Sequence, residues 1–403
     1  MDLFEKIRNN RGPLGKHAKD AHGYFTFPKL EGDISSNMIF NNKKVICWSI
    51  NNYLGLSNHP EIRKIDEKAA KEWGMGTPMG SRMMSGNTNH HEILEEKLSQ
   101  FVKKEDTILL NFGYQGMHSS VDALVDRQDV IVYDSECHAC ILDGVRLHLG
   151  KRYQYPHNNI EKLRTQLKRA EKITKETGGG ILVITEGVFG MAGDLGKLKE
   201  ICSLKKDFNF RLYVDDAHGV GTMGENGIGT GEYLEVQNQI DVLFGTFAKS
   251  FSSIGAFISS SKDVIEYLRY NMRSQIFAKS LPMPIVVGAI KRLEIMQSDK
   301  SLKNNLWYIT KKLQSGLRDN GFNLGKTESC VTPVFLSGGV GEATNLTVDL
   351  RENYGIFCSI VTYPVVPKGQ ARVRTQLSAA LTRQDLDKAI IAFEKVGKEI
   401  GVI

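Results

Sequence analysis

Between residues 107 and 260 the sequence alternates short, β-rich apolar runs with amphipathic stretches. The runs cover 107–111, 129–134, 180–185, 210–215, 240–246 and 255–259. Several are apolar at nearly every position, the pattern of strands covered on both faces rather than strands with one wet side. Helical connections over 159–176 and 195–208 separate some of them. This rhythm predicts an α/β domain built on a mostly parallel central sheet.

The flanks change pattern. Residues 1–45 hold a polar, helix-like start, followed by a strand-like segment near 44–49 and helical stretches at 60–73 and 89–102. In the latter, Ile93, Leu94, Leu98 and Phe101 form one apolar face. A long helical stretch over 263–297, broken by Pro282 and Pro284, leads out of the large domain. From about 301 the pattern reads as a smaller α+β unit, with strands at 331–336, 356–362 and 371–377 and a closing helix. The partition expected is an N-terminal segment 1–47, a large α/β domain 48–297 and a small α+β domain 298–403.

Composition narrows the function classes. Lys and Arg number 52 against 46 Asp and Glu, a surplus of +6 spread along 403 residues. That is no nucleic-acid footprint. No window approaches the ~18 consecutive apolar residues of a membrane span, and the first twenty residues lack an apolar signal core. Six cysteines in a chain this long do not make a disulfide scaffold, so a reducing, cytoplasmic setting is expected.

Three motif matches fail on chemistry. Gly219-Val-Gly221-Thr-Met-Gly224 fits the dinucleotide fingerprint, but a glycine-rich, loop-like run follows it where a helix must open. His91-Glu-Ile-Leu-Glu95 has Glu where a zincin needs its second His, which leaves a solvated helix face as the expectation. Cys137-His-Ala-Cys140 is a single pair without a second, and two half-buried residues are expected there.

A stronger set is spread over the α/β region. Asp215-Asp216-Ala217-His218 ends an apolar run, and ligands of open α/β sheets bind beyond the carboxyl ends of strands. Lys249 stands between two apolar runs, where burial would lower its pKa and free an amine for Schiff-base chemistry. Gly113-Tyr114-Gln115-Gly116 precedes a helical segment whose N-terminus suits a phosphate. Taken singly, each has a bland alternative: a strand-end cap, a snorkelling lysine, a turn. Together an aspartate, a lysine and a histidine suggest pyridoxal phosphate, which needs an amine for its aldehyde and a carboxylate for its pyridine nitrogen.

The chain resembles the α-oxoamine synthases, pyridoxal-phosphate enzymes of the type I aminotransferase fold. The likeness runs from about Trp48 to the C-terminus through NNYLGL (51–56), GSRMMSGN (80–87), ECHACILDG (136–144), TEGVFGMAGD (185–194), VDDAHGVG (214–221), GTFAKS (245–250) and PVVPKGQARVRTQLSAALT (364–382). The resemblance implies that Lys249 is the Schiff-base lysine and that Asp215 partners the pyridine nitrogen. It implies that His138 stacks on the cofactor ring and that His218 sits near the phenolic oxygen and the reacting carbonyl. Gly113, Tyr114 and Thr246 would hold the phosphate, and Phe277 and Ala278 would reach the partner's phosphate across a homodimer with a shared site. Arg374 would anchor the substrate carboxylate, with Asn51 close by. Arg372 and Arg374 alternate on a strand-like run and so face one side.

Two positions depart from the family pattern. Gly190 stands where a serine is usual, and Ala248 where serine is frequent. The implied reaction is a decarboxylative condensation of an amino acid with an acyl thioester carried by CoA or a carrier protein. The region around Lys249 and MRSQIFAKS (272–280) is similar to bacterial serine palmitoyltransferases and cysteate acyltransferases, while 364–382 and ILDGVRL (141–147) are more like glycine C-acetyltransferases. A fatty acyl enzyme acting on serine or cysteate is the expectation. The rivals are a glycine C-acetyltransferase, an aminotransferase and a catalytically silent partner subunit. Met75, Met79, Met83, Met84, Met272, Met283 and Ile285 are candidates either for an acyl channel or for core filling.

Overall fold

The computed structural model describes residues 2–9, 12 and 23–403. Two compact units divide the chain. The first gathers Met1–Asn58, Met191–Gly193 and Asn304–Ile403; the second holds His59–Gly190 and Asp194–Lys303. The first 58 residues share a unit with the C-terminal region because their strands pair with one from it. Strands β1 (Leu30–Glu31), β2 (Asn37–Phe40) and β3 (Lys43–Cys47) form an antiparallel run. A short strand at Ile356–Phe357 adds to it in parallel, opposite Ile46 and Cys47.

The second unit is a seven-stranded sheet formed from β4 (Asp106–Leu110), β5 (Val130–Asp134), β6 (Lys151–Tyr155), β7 (Ile181–Glu186), β8 (Arg211–Asp215), β9 (Val242–Thr246) and β10 (Ala256–Ser260). Its order is β4-β10-β9-β8-β7-β5-β6, and only β10 runs against its neighbours. Every residue of β7, β9 and β10 is buried, as strands with helices on both faces require.

Period-2 alternation sends these side chains into two cores. Val183, Leu212, Val214 and Leu243 enter one. Ile184, Tyr213, Val242 and Phe244 enter the other, where the helices Gly113–Leu124 and Ala139–Leu147 contribute Met117, Val121, Cys140 and Ile141. Continuing the alternation by two residues puts Glu186, Asp215 and Thr246 on this second face, at the carboxyl ends of three adjacent strands.

In the first unit, β11 (Val331–Phe335) pairs with β14 (Arg372–Gln376), which also pairs with β13 (Ser359–Val361). The strand at 356–357 is β12. The single strand expected over 356–362 is therefore two, β12 and β13, lying in different sheets. Other differences have simple causes. The polar edge strand β6, KRYQY, lacks the apolar run that marks the buried strands. The helix expected over 195–208 is confined to Leu198–Ser203 and a short 3-10 turn. The stretch 263–297 is three helices, and Pro282 and Pro284 open the last one, Met283–Ser298, rather than break it. Ile93 is 41% exposed, so the apolar face of helix Asn89–Phe101 is carried by Leu94, Leu98 and Phe101. Among the described residues no helix is long and apolar enough to cross a membrane.

Beyond β5 a histidine is held between two carboxylates. His157 Nδ1 lies 2.9 Å from Asp134 Oδ1, and its Nε2 lies 2.8 Å from Asp194 Oδ2. Asp134 is fully buried at the end of β5 and also accepts the backbone N–H groups of Glu136 and Asn158. Burial by itself lowers the pKa of His157, but the two carboxylates outweigh it and raise the value to about 10. A group raised in the folded state contributes stability that is complete below its unfolded pKa and is lost as pH climbs through the folded one. Stability of the wild-type protein is therefore expected to fall between pH ~6.5 and about 10. His157→Gln should lower stability by about 3 kcal/mol or more at pH 6.5 and flatten that decline. Urea titrations across the window check this; parallel pH profiles for the two proteins would contradict it.

Candidate active site

Asp215 ends β8 with its carboxyl buried. Its Oδ1 accepts the backbone N–H of Ala217 at 3.0 Å. Burial raises its pKa, while the Lys249 ammonium pulls it down. The neighbouring Asp216 is committed elsewhere. Its two oxygens take the N–H and hydroxyl of Thr230, each at 2.6 Å. A Cβ at Gly187, Gly219 or Gly229 would come within about 2.1 Å of an Asp216 oxygen, so three glycines let backbone close around it. Burial lifts Asp216 to about 6. Of the two adjacent aspartates, Asp215 is the one on the face of the sheet that carries the site.

Beside it stands a residue that sequence reasoning missed. Glu186 ends β7 directly opposite Asp215 in the strand register and is equally buried. Its Oε1 accepts the backbone N–H of His138 at 2.6 Å. Burial and the charge of Asp215 push its carboxyl well up. Two buried carboxylates side by side do not both ionise. Each accepts one backbone N–H, but Lys249 is the largest charge acting on Asp215 and draws it down, whereas the Asp215 charge pushes Glu186 up, so Glu186 is the one that holds the proton. The signal for it in the sequence was its place at the end of a buried run, directly before Gly187 in the TEGVFGMAGD stretch.

His138 is the N-cap of helix Ala139–Leu147, and its Nδ1 accepts the backbone N–H of Cys140 at 3.3 Å. An accepting Nδ1 puts the ring proton on Nε2 and leaves the imidazole neutral. Cys140 Sγ lies 2.9 Å from the same nitrogen and 4.0 Å from Asp215 Oδ2, which ties His138 to the aspartate. Cys137 and Cys140 are fully buried, deeper than the half-burial expected. Burial raises both thiols far above their ordinary range.

Lys249 lies half-buried in the loop joining β9 to β10, and its charge lowers Asp215, Glu186 and Cys140 together. Thr246 closes β9; its hydroxyl donates to Gly255 O and accepts the N–H of Ala248. Gly113 opens the helix that follows β4. A Cβ there would sit 3.4 Å from Thr246 Oγ1 and 3.3 Å from the Phe244 ring, so glycine keeps clear the space between the helix N-terminus and the threonine. The Tyr114 hydroxyl donates to Asp143, and its ring stands edge-on to His138 at 6.2 Å.

His218 is buried beyond Asp216. A Cβ at Gly190 would fall 2.2 Å from His218 Nε2, so the imidazole fills the volume a side chain at 190 would need. Phe277 is 77% exposed and Ala278 partly so, on the loop before helix Met283–Ser298.

Arg374 and Asn51 belong to the first unit. Arg374 lies on β14 with Nη1 3.4 Å from Met191 Sδ; burial lowers its pKa and Tyr53 opposes that. Asn51 accepts from Gln376, two residues along the strand from Arg374. Arg372 is anchored instead, donating to Met191 O at 2.9 Å and lying over the Phe335 ring.

Other expectations are corrected or upheld. The face of His91-Glu-Ile-Leu-Glu95 is not solvated: His91 and Glu95 are buried. Glu95 takes both Arg82 guanidinium nitrogens, with Arg269 close by, and His91 bonds to Thr88 and Leu281 O. Residues 217–225 are turns and bends, not a helix, as the rejected dinucleotide motif requires. The methionines divide: Met272 and Met283 are core, while Met75, Met79, Met83 and Met84 are exposed. No cluster of metal-ligating side chains occurs among the described residues. A buried carboxylate, a nearby amine, a capped neutral histidine and a glycine-cleared helix N-terminus beside Thr246 are the groups that pyridoxal phosphate requires.

Comparison with known proteins agrees. The model of aminotransferase class I and II matches residues 43–393. Over 399 residues the chain is 56% identical to the cysteate-C-fatty acyltransferase of Capnocytophaga ochracea, covering 99% of this chain and 95% of the relative. It is 36% identical to the 8-amino-7-oxononanoate synthase of Thermoanaerobacter pseudethanolicus, covering 96% of each. The solved serine palmitoyltransferase of Sphingomonas wittichii superposes with a TM-score of 0.92 at 29% identity over the whole of both chains. The chain belongs to the aminotransferase class I and II family and, within it, to the α-oxoamine synthases.

Proposed function

We propose that the protein is a pyridoxal-phosphate-dependent acyltransferase that condenses cysteate or serine with a fatty acyl thioester. The observation that carries this reading is 56% identity to a cysteate-C-fatty acyltransferase along 99% of the chain, against 36% to an oxononanoate synthase. The α-carbon of the amino acid joins the thioester carbonyl carbon, the thiol leaves, and the amino-acid carboxyl departs as carbon dioxide. The product is a 3-keto long-chain base or its sulfonated counterpart.

Bound pyridoxal phosphate supplies an electron sink for negative charge at the α-carbon. Asp215, as a buried anion, keeps a proton on the ring nitrogen. Lys249 would hold the cofactor through Nζ, and the same amine, when free, is the base for the α-proton. His138 would lie against the ring, where its neutral form would add no second positive charge beside a protonated pyridine. His218 donates toward the phenolic oxygen and the reacting carbonyl. Gly113, Tyr114 and Thr246 hold the phosphate at the helix N-terminus. Arg374 forks the substrate carboxylate with Asn51 beside it.

The protein is proposed to work as a homodimer in which Phe277 and Ala278 complete the partner's phosphate site. Phe277 at 77%, Met79 at 78% and Met84 at 81% exposure are apolar groups that a second copy would cover. Sedimentation should give twice 45.0 kDa, and Phe277→Glu should weaken both the dimer and cofactor retention. A monomeric, fully active wild-type protein would contradict the shared site.

The substrate reading is tested by a thioester series from acetyl to palmitoyl against cysteate, serine and glycine, scored by thiol release. Each buried methylene contributes about 0.8 kcal/mol, so four more should raise kcat/KM by roughly two orders of magnitude. Cysteate with a long-chain thioester should be best. Maximal turnover with glycine and acetyl thioester would overturn the reading in favour of a glycine C-acetyltransferase. In the same assay Arg374→Ala should cost about 2–5 kcal/mol in amino-acid binding while the protein stays yellow. Loss of cofactor with unchanged amino-acid affinity would refute its assignment.

A further inference from the structure

Glu186 is a buried carboxyl that the reaction above does not use. Three observations converge on it. It ends β7 opposite Asp215, so both side chains leave the sheet on the same face. Its Oε1 takes the His138 backbone N–H at 2.6 Å, among the shorter backbone-to-side-chain bonds at the site. The His138 ring is then fixed a second time through Nδ1 by the Cys140 N–H, and Cys140 Sγ reaches back toward Asp215. Glu186, His138, Cys140 and Asp215 thus form a chain of contacts whose two ends stand opposite each other in the strand register. The backbone bond sets where the His138 Cα stands, and the cap sets how its ring turns. Removing either lets the imidazole swing.

We propose that Glu186 is a positioning residue that fixes the His138 imidazole against the cofactor ring through the backbone of His138. The inference rests on the function proposed above. It requires only an acceptor oxygen at the Oε1 position, not a charge. A glutamine keeps that oxygen, an alanine removes it, and an aspartate withdraws it by one methylene.

The test compares Glu186→Gln, Glu186→Ala and Glu186→Asp with wild type as holoenzymes. The readouts are the visible circular dichroism of the bound cofactor, which reports the chiral packing against its ring, and kcat and KM for both substrates. Glu186→Gln should keep the dichroic band and keep kcat within about threefold. Glu186→Ala and Glu186→Asp should lose or invert the band and lower kcat by roughly 10- to 100-fold, with KM for the thioester unchanged. Wild-type spectra and kcat in the alanine or aspartate variant would overturn the proposal. Equal loss in glutamine and alanine would overturn it too, because acidity rather than the hydrogen bond would then matter. Should the alanine variant not fold, the aspartate variant decides alone. If the wild-type protein binds no pyridoxal phosphate, the functional reading fails, whatever the variants do.

Discussion

The carboxylate of Asp215 is the constraint around which the second unit is arranged. An anion buried at the end of β8 costs several kcal/mol unless cations and donors face it. The Ala217 N–H and the Lys249 charge supply part of that compensation, and in the function proposed above a protonated pyridine ring would supply the rest. The neighbours fall into place accordingly. Glu186, next to it in the register, stays protonated. Asp216 is closed off by Thr230 and three glycines. His138 is capped in a neutral form. One buried negative charge remains at the ends of β7 and β8 on that face, the charge that the proposed function gives to a ring nitrogen.

The other face of the sheet carries the counterpart. Asp134, at the end of β5, faces the opposite core with Val130 and Val132, and the His157 imidazolium binds it to Asp194. This joins the end of β5 to the turn that follows β7, the turn that also carries Gly190. His218 fills the volume beside Gly190, so a side chain at position 190 would have to displace the imidazole. A small residue on one loop makes room for a large polar one on the other.

Much of this was legible in the sequence, for a physical reason. Strands buried on both faces must be apolar at nearly every position, and five of the seven, β5 and β7–β10, announced themselves that way; β4 did so less fully. The edge strand β6, with Lys151, Arg152 and Gln154, is wet and left no such mark. Helix Asn89–Phe101 misled in the opposite sense: Glu95 looked solvated because burial of a charge depends on Arg82 and Arg269, 13 residues before and 174 after it. Among site residues, Lys249, Asp215, His138, His218, Gly113 and Thr246 were named from motif context. Glu186 was not, since its role depends on which strands are neighbours, and order β8-β7-β5 is not local information.

The central claim is that Asp215 is the ionised carboxylate of the site and keeps a proton on the cofactor's ring nitrogen. The most direct measurement is the nitrogen NMR shift of pyridoxal phosphate labelled at that nitrogen, in the wild-type holoenzyme and in Asp215→Asn at neutral pH. The wild-type protein should show a protonated pyridine and the variant an unprotonated one. An unprotonated nitrogen in the wild-type enzyme, or a protonated one in both, would contradict the account.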